Sequence, residues 1–252
     1  MKRPTLLLLA AAAGLGALPG VSRAEDPPAS PLSFNIGGVS DYRYRGISQS
    51  RLKPALQGGA DYAFASGAYL GTWASTIDWI KDAGGNANVE IDLYGGYKGD
   101  IVKDSLSYDV GFLTYQYPSN HLNPKAETYE IYGALTYGPV TAKYSHAVSN
   151  LFGFANSKNS GYLDLSANFD LGNSISLTPH VGYQRVANNS TASYTDYSLT
   201  VAKDFSGLAL SAALVGTSTK SVSGNPGGYA YYSPAGKNLG KATVVVGLKY
   251  TF

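Results

Sequence analysis

KATVVVGLKYTF, residues Lys241–Phe252, sorts into two faces when read in steps of two. Ala242, Val244, Val246, Leu248, Tyr250 and Phe252 fall on one face. Lys241, Thr243, Val245, Gly247, Lys249 and Thr251 fall on the other. Successive side chains of a β-strand point to opposite faces, so the segment reads as a strand with one apolar and one mostly polar or small side. An ordinary edge strand of a soluble sheet shows the same parity, so the rest of the chain must decide what the apolar side meets.

Working back from this segment, the same parity recurs, and no helical period competes with it from Phe34 onward. Phe34, Ile36, Tyr42 and Tyr44 oppose Asn35, Asp41, Arg43 and Arg45. Leu56, Ala60, Tyr62 and Phe64 oppose Gln57 and Asp61. Tyr69, Trp73, Ile77 and Trp79 oppose Thr72, Thr76 and Asp78. Val89, Ile91, Leu93 and Tyr97 oppose Glu90, Asp92 and Tyr94. Leu106 to Phe112 alternates around Asp109, and the parity then blurs over Leu113 to Tyr117, which suggests a bulge. Further segments place Glu130, Lys143, Asp164, His180 and Asp196 opposite apolar rows, while Lys203 falls on an apolar side. The total is about twelve strands.

The connections alternate in length. Tight turns fall near Ser66-Gly67, Gly138-Pro139, Leu171-Gly172-Asn173 and Ser206-Gly207, and a slightly longer one runs Asp100 to Lys103. Long polar loops run over Gly46 to Pro54, Ile80 to Ala87, Pro118 to Ala126, Leu151 to Asn159, Ala187 to Ser193 and Lys220 to Leu239. A meander through a membrane has this short-then-long rhythm, and an even strand number puts both ends of the barrel at the short-turn side. Aromatics collect at both strand ends: Phe34, Phe64, Tyr69, Tyr137, Phe169, Phe205 and Phe252 near the tight turns, and Tyr44, Trp79, Tyr129, Tyr144 and Tyr183 near the long loops. Two such girdles are expected at two membrane interfaces. Carboxylates in mid-strand belong in a wet lumen, since charge on a lipid-facing wall is costly. A soluble barrel with a buried apolar face shares the parity but not the girdles. Glycines near tyrosines, as in Gly58-Gly59 with Tyr62 and Gly95-Gly96 with Tyr94, suit rings lying on bare backbone in a curved wall. The fold expected is therefore all-β: a transmembrane, antiparallel up-and-down β-barrel over residues 34–252.

Ahead of it, Met1 to Ala24 has the form of a cleaved signal peptide: Lys2 and Arg3, an apolar run from Leu6 to Ala17, then Ser22-Arg23-Ala24. That run is shorter than the roughly 20 residues a spanning helix needs. Residues 25–33 read as a Pro-rich periplasmic leader. Without Lys2, Arg3 and Arg23, the 19 Lys and Arg no longer outnumber the 17 Asp and Glu, so the balance argues against a nucleic-acid partner. With no Cys there is no disulfide, thiolate metal site or lipidated cysteine.

Several segments resemble the TorF family of porin-like proteins. They are Ser40-Asp41-Tyr42-Arg43-Tyr44-Arg45-Gly46-Ile47-Ser48-Gln49-Ser50, Pro54 to Tyr62, Gly71-Thr72-Trp73-Ala74-Ser75, Glu90 to Tyr97, Tyr115 to Pro118 and Glu127 to Glu130. The likeness is specific as far as about Tyr132 and looser beyond it. The closing segment also resembles the last strand of bacterial outer-membrane barrels, which implies that Tyr250 and Phe252 are read by the assembly machinery. These resemblances imply an outer-membrane protein that passes small solutes, with no catalytic residues to carry over.

Asp41, Arg43 and Arg45 share one polar face, and Asp61, Asp78, Glu90 and Asp92 are the acids nearest in sequence order that could pair with them. With Asp109, Glu130, Lys143, Asp164, His180 and Lys249 they form the expected pore lining. They could act as a charged constriction that filters solutes or as a salt-bridge network that plugs a narrow barrel. Glu90 and Asp92 alone are too few oxygens for a Ca²⁺ site, and His121, His146 and His180 have no metal-ligand spacing. Ser145 and His146 point to opposite faces, so they do not form a nucleophile and base; His180 with Ser176 and Thr178 leaves a hydrolase as a minor alternative. The expectation is a non-enzymatic channel for small hydrophilic solutes in the bacterial outer membrane, with no cofactor or metal, both termini periplasmic, and lipid and the assembly machinery as partners. The alternative is a closed barrel that works through its loops.

Overall fold

The computed structural model describes residues 30–252. The expected signal peptide, Met1 to Ala24, and the leader up to residue 29 lie outside the described residues. Twelve strands form the wall: β1 (Leu32–Val39), β2 (Ala55–Ala63), β3 (Ala68–Thr76), β4 (Val89–Val102), β5 (Leu106–Gln116), β6 (Thr128–Tyr137), β7 (Val140–Ala147), β8 (Gly161–Ala167, continued by Phe169–Gly172), β9 (Ile175–Arg185), β10 (Tyr194–Asp204), β11 (Leu208–Thr217) and β12 (Thr243–Thr251). Each pairs antiparallel with the next, and β12 pairs with β1 through Ile36↔Tyr250 and Gly38↔Leu248, so the sheet closes. Closure matters because backbone groups facing hydrocarbon have no water to bond.

The parity of the closing strand is realised as expected. Val244, Val246, Leu248, Tyr250 and Phe252 point outward and are exposed, while Val245 is buried. Rows of exposed apolar side chains continue around the wall through Ile36, Leu93, Ile131, Leu165, Val201 and Leu214. A continuous apolar belt of this kind is a surface for hydrocarbon rather than water. Phe34, Phe64, Tyr137, Phe169, Phe205 and Phe252 form an exposed girdle at the tight-turn rim, and Tyr129, Tyr144 and Tyr183 form one at the loop rim. Lys203, a charge on an apolar row, lies near the tight-turn rim with its ammonium over the Phe205 ring. Its stem can lie along the apolar wall while the charge reaches the interface.

The structure corrects the sequence reading at five places. First, β1 starts at Leu32 and leaves the wall after Ser40, whose N–H still donates to the Val246 carbonyl at 2.9 Å. The chain then turns inward, so Tyr42 and Tyr44 are buried inside the barrel, and the Gly46 to Pro54 loop belongs to this inserted segment. Second, the faces of β3 are the reverse of those expected. Leu70 is exposed, whereas Trp73 is buried against the Tyr42 ring at 5.3 Å between centroids. Tyr69 likewise turns in, donating from its hydroxyl to Asp109 at 2.6 Å. Third, β3 ends at Thr76; Ile77 is buried in the following loop, and Trp79–Asp82 is a single helical turn. Fourth, β5 has no bulge at Leu113: its pairing with β6 runs unbroken from Leu106 to Tyr115. Leu113 and Tyr115 break the pattern because they are apolar residues on the inward face, packed in the plug core. Fifth, the bare backbone beneath a tyrosine ring belongs to the neighbouring strand rather than to adjacent sequence. Gly71 lies under Tyr94 and Gly182 under Tyr162, where any Cβ would collide with the ring.

The outward face makes a direct prediction. Leu199 sits mid-strand on β10 and faces out. Leu199→Arg should destabilise the barrel by about 2–4 kcal/mol in denaturant unfolding from lipid vesicles. Thr200→Lys, its inward neighbour, should cost much less; equal losses would refute the assigned faces.

Candidate functional site

The inserted segment is the feature that organises the lumen. Arg43–Tyr44 and Ile47–Ser48 pair as a two-rung hairpin inside the barrel. Its turn residues, Arg45 and Gly46, have φ of 45° and 80°. Positive φ at both central positions is the pattern of a type I′ turn, which suits Gly and strains Arg. Gly46 fits tightly as well: an added Cβ would lie 2.5 Å from Thr217 Cγ2 and 2.8 Å from Asp196 Cβ.

The strained tip is held by what its side chain reaches. Arg45 crosses to the far wall and binds Glu130 on β6 in two-pronged fashion, Nη1 to Oε1 at 3.0 Å and Nη2 to Oε2 at 2.7 Å. Nη1 also donates to Gln184 Oε1 on β9 at 2.7 Å, and the guanidinium lies over the Tyr162 ring of β8 at 4.2 Å. A two-pronged Arg–carboxylate pair fixes orientation as well as charge. Arg43 holds the opposite side. Its Nε donates to Asp41 at 2.6 Å, and its Nη1 donates to the carbonyls of Gly46, Leu239 and Lys241. Ser48 closes the base by donating to the other Asp41 oxygen at 2.5 Å.

The tyrosines complete the cross-section. Tyr42 donates to Glu90 at 2.5 Å, and Tyr117 donates to the same carboxylate at 2.7 Å. The hydroxyls of Tyr44 and Tyr115 lie 2.6 Å apart. The ribbon therefore touches β4, β5, β6, β8, β9 and the approach to β12, and its buried side chains fill the loop end of the lumen. A second layer covers it: Ile80, Ala87, Ala126, Trp79 and Phe152 pack onto the same cluster.

The expected pore-lining residues divide between two zones. Asp41, Arg43, Glu90, Asp92 and Glu130 are buried in the plug, and Arg45 reaches into it. Below the plug, Asp61, Asp109 and Lys249 face inward toward the tight turns and Lys143, Asp164 and His180 face inward nearer mid-barrel, all with partial exposure. Asp78 is on neither wall; it opens the helical turn after β3, with its N–H on the Gln49 carbonyl. The pairings also differ from those expected by proximity in sequence. Asp61 accepts from Tyr94, and Glu130 is the acid that meets Arg45.

Charge in this lumen is unbalanced. Asp41, Asp61, Glu90, Asp92, Asp109, Glu130, Asp164 and Asp196 face Arg43, Arg45, Lys98, Lys143 and Lys249. Asp92 is 1% exposed, and neither of its oxygens has a hydrogen-bond partner among the described residues. It lies on the same inward row as Glu90, which is 2% exposed. A buried carboxyl whose oxygens lack partners is costly, so the plugged arrangement carries an internal penalty at this point.

Asp196, which parity puts on a polar face, and Tyr162 are functional candidates outside the expected pore lining. His180 Nε2 lies 2.9 Å from Asp164 Oδ2 and 3.1 Å from the Tyr162 hydroxyl, which also contacts Asp196 at 3.1 Å. Its partners are thus carboxylates and a phenol. Thr178, expected beside it, instead accepts from Asn168 at 3.0 Å. The sequence signal for Tyr162 was its inward parity next to Leu163.

The architecture is that of solved porins. The chain is similar to the KdgM porin, with a TM-score of 0.56 and 9% identity, covering 87% of this chain and 99% of that one. It is also similar to the NanC porin, with a TM-score of 0.55 and 11% identity, covering 87% and 98%. A KdgM porin in complex with disordered oligogalacturonate gives a TM-score of 0.55 at 9% identity, covering 88% and 98%. At these identities the likeness is one of fold. No curated protein matches the sequence. Residues 24–252 match the family described as "Bacterial protein of unknown function (Gcw_chp)", and the chain belongs to that family.

Proposed function

We propose that the protein is an outer-membrane channel for passive diffusion of small hydrophilic solutes, held closed at rest by the ribbon that carries Arg45. The observation behind this reading is the lumen itself: a wall apolar outside and polar inside, lined by partly exposed polar side chains in one part and filled by an inserted segment in the other. The TorF resemblance and the porin fold point the same way. Acids outnumber bases along the inward face, so we infer a preference for cationic or neutral solutes. A polyanion such as the oligogalacturonate held by one KdgM porin suits this lumen less well. The long loops face outward from the cell and both termini lie in the periplasm.

The sealed plug and the packed loop canopy favour a second reading, a closed barrel acting through its loops. Planar-bilayer recording separates the two. For a gated channel, wild-type protein should show brief, sparse openings, and Gly46→Val should raise mean current several-fold by pushing the ribbon tip off Thr217 and Asp196. Arg45→Ala should do the same and increase cation selectivity, because Glu130 loses its counter-charge. A silent Gly46→Val barrel, shown to be folded by its heat-dependent gel shift, would favour the closed-barrel reading.

Asp92 gives an opposing test. Asp92→Ala removes a buried, unpartnered carboxyl and should lengthen the closed intervals. Shorter closures would show that Asp92 stabilises the plug instead.

Orientation is tested by labelling, since the chain has no native cysteine. Ser223→Cys, exposed in the longest loop, should react with a membrane-impermeant maleimide on intact cells, whereas Lys103→Cys, in a tight turn, should react only after lysis. The reverse pattern would invert the orientation.

A further inference from the structure

A cavity of about 550 Å³ opens on the outside of the barrel where β9, β10 and β11 reach the loop rim. Tyr183, Arg185, Asn188, Ser193, Ser218 and Lys220 are among its lining residues, and none of the lining residues is acidic. Its position follows from the register. Tyr183 pairs with Thr195, and Tyr183 and Arg185 share the outward row of β9 with the lipid-facing Val181. The cavity thus sits just above the apolar belt, at the level of the loop-side girdle.

Its two cations are fixed without being neutralised. Arg185 Nη1 donates to the Asn159 carbonyl at 3.0 Å, and Lys220 Nζ donates to the Ser190 carbonyl at 2.8 Å. Neither meets a carboxylate among the described residues, in contrast to Arg51, which pairs with Asp82. A carbonyl orients a cation but leaves its charge in place. The surrounding loops are also built rather than loose. Asn188 and Asn189 donate to the Asn156 and Ala155 carbonyls, Thr195 N–H is held by Ser218 Oγ, and Tyr231 donates to the Ala192 carbonyl from behind.

We propose that this cavity binds the phosphorylated headgroup of a membrane lipid, whose acyl chains run down the outer wall past Tyr183 and Val181. Arg185 and Lys220 supply charge-assisted donors to phosphate oxygens, and the serine hydroxyls and Asn188 supply the remaining donors. The tyrosine at the cavity floor marks the headgroup level, where amphipathic rings settle. This inference rests on the membrane-barrel reading above, but not on whether the barrel conducts.

The test uses folded barrel in detergent, observed by native mass spectrometry with three probes: dioctanoyl phosphatidic acid, dioctanoylglycerol and inorganic phosphate. Phosphatidic acid should form a one-to-one adduct, dioctanoylglycerol should not, and inorganic phosphate should fail to displace the lipid at equal concentration. Arg185→Gln with Lys220→Gln should weaken the adduct by about tenfold or more. Lys220→Gln alone, beyond the strand ends, supplies the test if the double variant does not fold. Undiminished binding by the folded variants, or equal binding of dioctanoylglycerol, would overturn the site. Displacement by inorganic phosphate at equal concentration would overturn the lipid assignment in favour of a soluble anion. Bilayer current recorded on the same preparations keeps the two readings apart: a silent barrel that still takes phosphatidic acid fails as a channel and retains the lipid site.

Discussion

The structure depends on the seam between β1 and β12. Phe34 N–H donates to the Phe252 carbonyl at 2.8 Å, and Phe252 N–H donates back to Phe34 at 3.0 Å. Without that seam, two strands would present unpaired backbone to hydrocarbon, at several kcal/mol per group. Closure also fixes register, because a slip of one residue would turn every apolar row inward and every carboxylate outward. The alternation seen in Lys241–Phe252 is therefore a condition the whole wall must satisfy at once.

Once the wall is committed to lipid outside, its charged groups are directed inward, and a twelve-stranded lumen must accommodate them together. Ion pairing alone does not do this, since the acids exceed the bases. The ribbon brings Arg43 already paired with its own Asp41, and Arg45, which neutralises Glu130 on the wall. Tyrosine hydroxyls satisfy Glu90. Asp92 is left over. The plug thus combines well-satisfied contacts with one unsatisfied buried carboxyl, and withdrawal of the ribbon would let water reach it.

Much of this fold was legible because period-two alternation is a local property. Strand number, the lipid faces of most strands, the tight turns and the tight-turn girdle all follow from residues a few positions apart. The plug was not legible in the same way. Arg45 and Glu130 are 85 residues apart, and nothing local to either indicates the pairing. Aromatic residues added to the difficulty: Tyr69 and Trp73 look like girdle residues by type, yet their neighbour is a plug rather than lipid. The same ambiguity made Leu113, Tyr115 and Tyr117 look like a bulge. Their apolar or aromatic character on the inward face was the available sign that something packs inside the barrel.

The continuation of strand parity past Ser40 misled for a related reason. Asp41 to Arg45 alternates as a strand should, and it does form a strand, but one that pairs with Ile47–Ser48 instead of with the wall. Alternation cannot distinguish these cases, because a ribbon crossing a lumen also has two faces, one meeting carboxylates and the other meeting rings. The Arg45-Gly46 turn is where the two cases part. A wall strand has no use for two consecutive residues at positive φ, whereas a hairpin that must reverse within the width of a barrel requires them. Placing Arg rather than Asn or Gly at the first of those positions accepts backbone strain in return for a side chain that reaches Glu130. The tip of the ribbon is therefore held by a contact with the far wall and not by its own turn, and the strain stored there adds to the unsatisfied carboxyl of Asp92 in opposing the plugged arrangement.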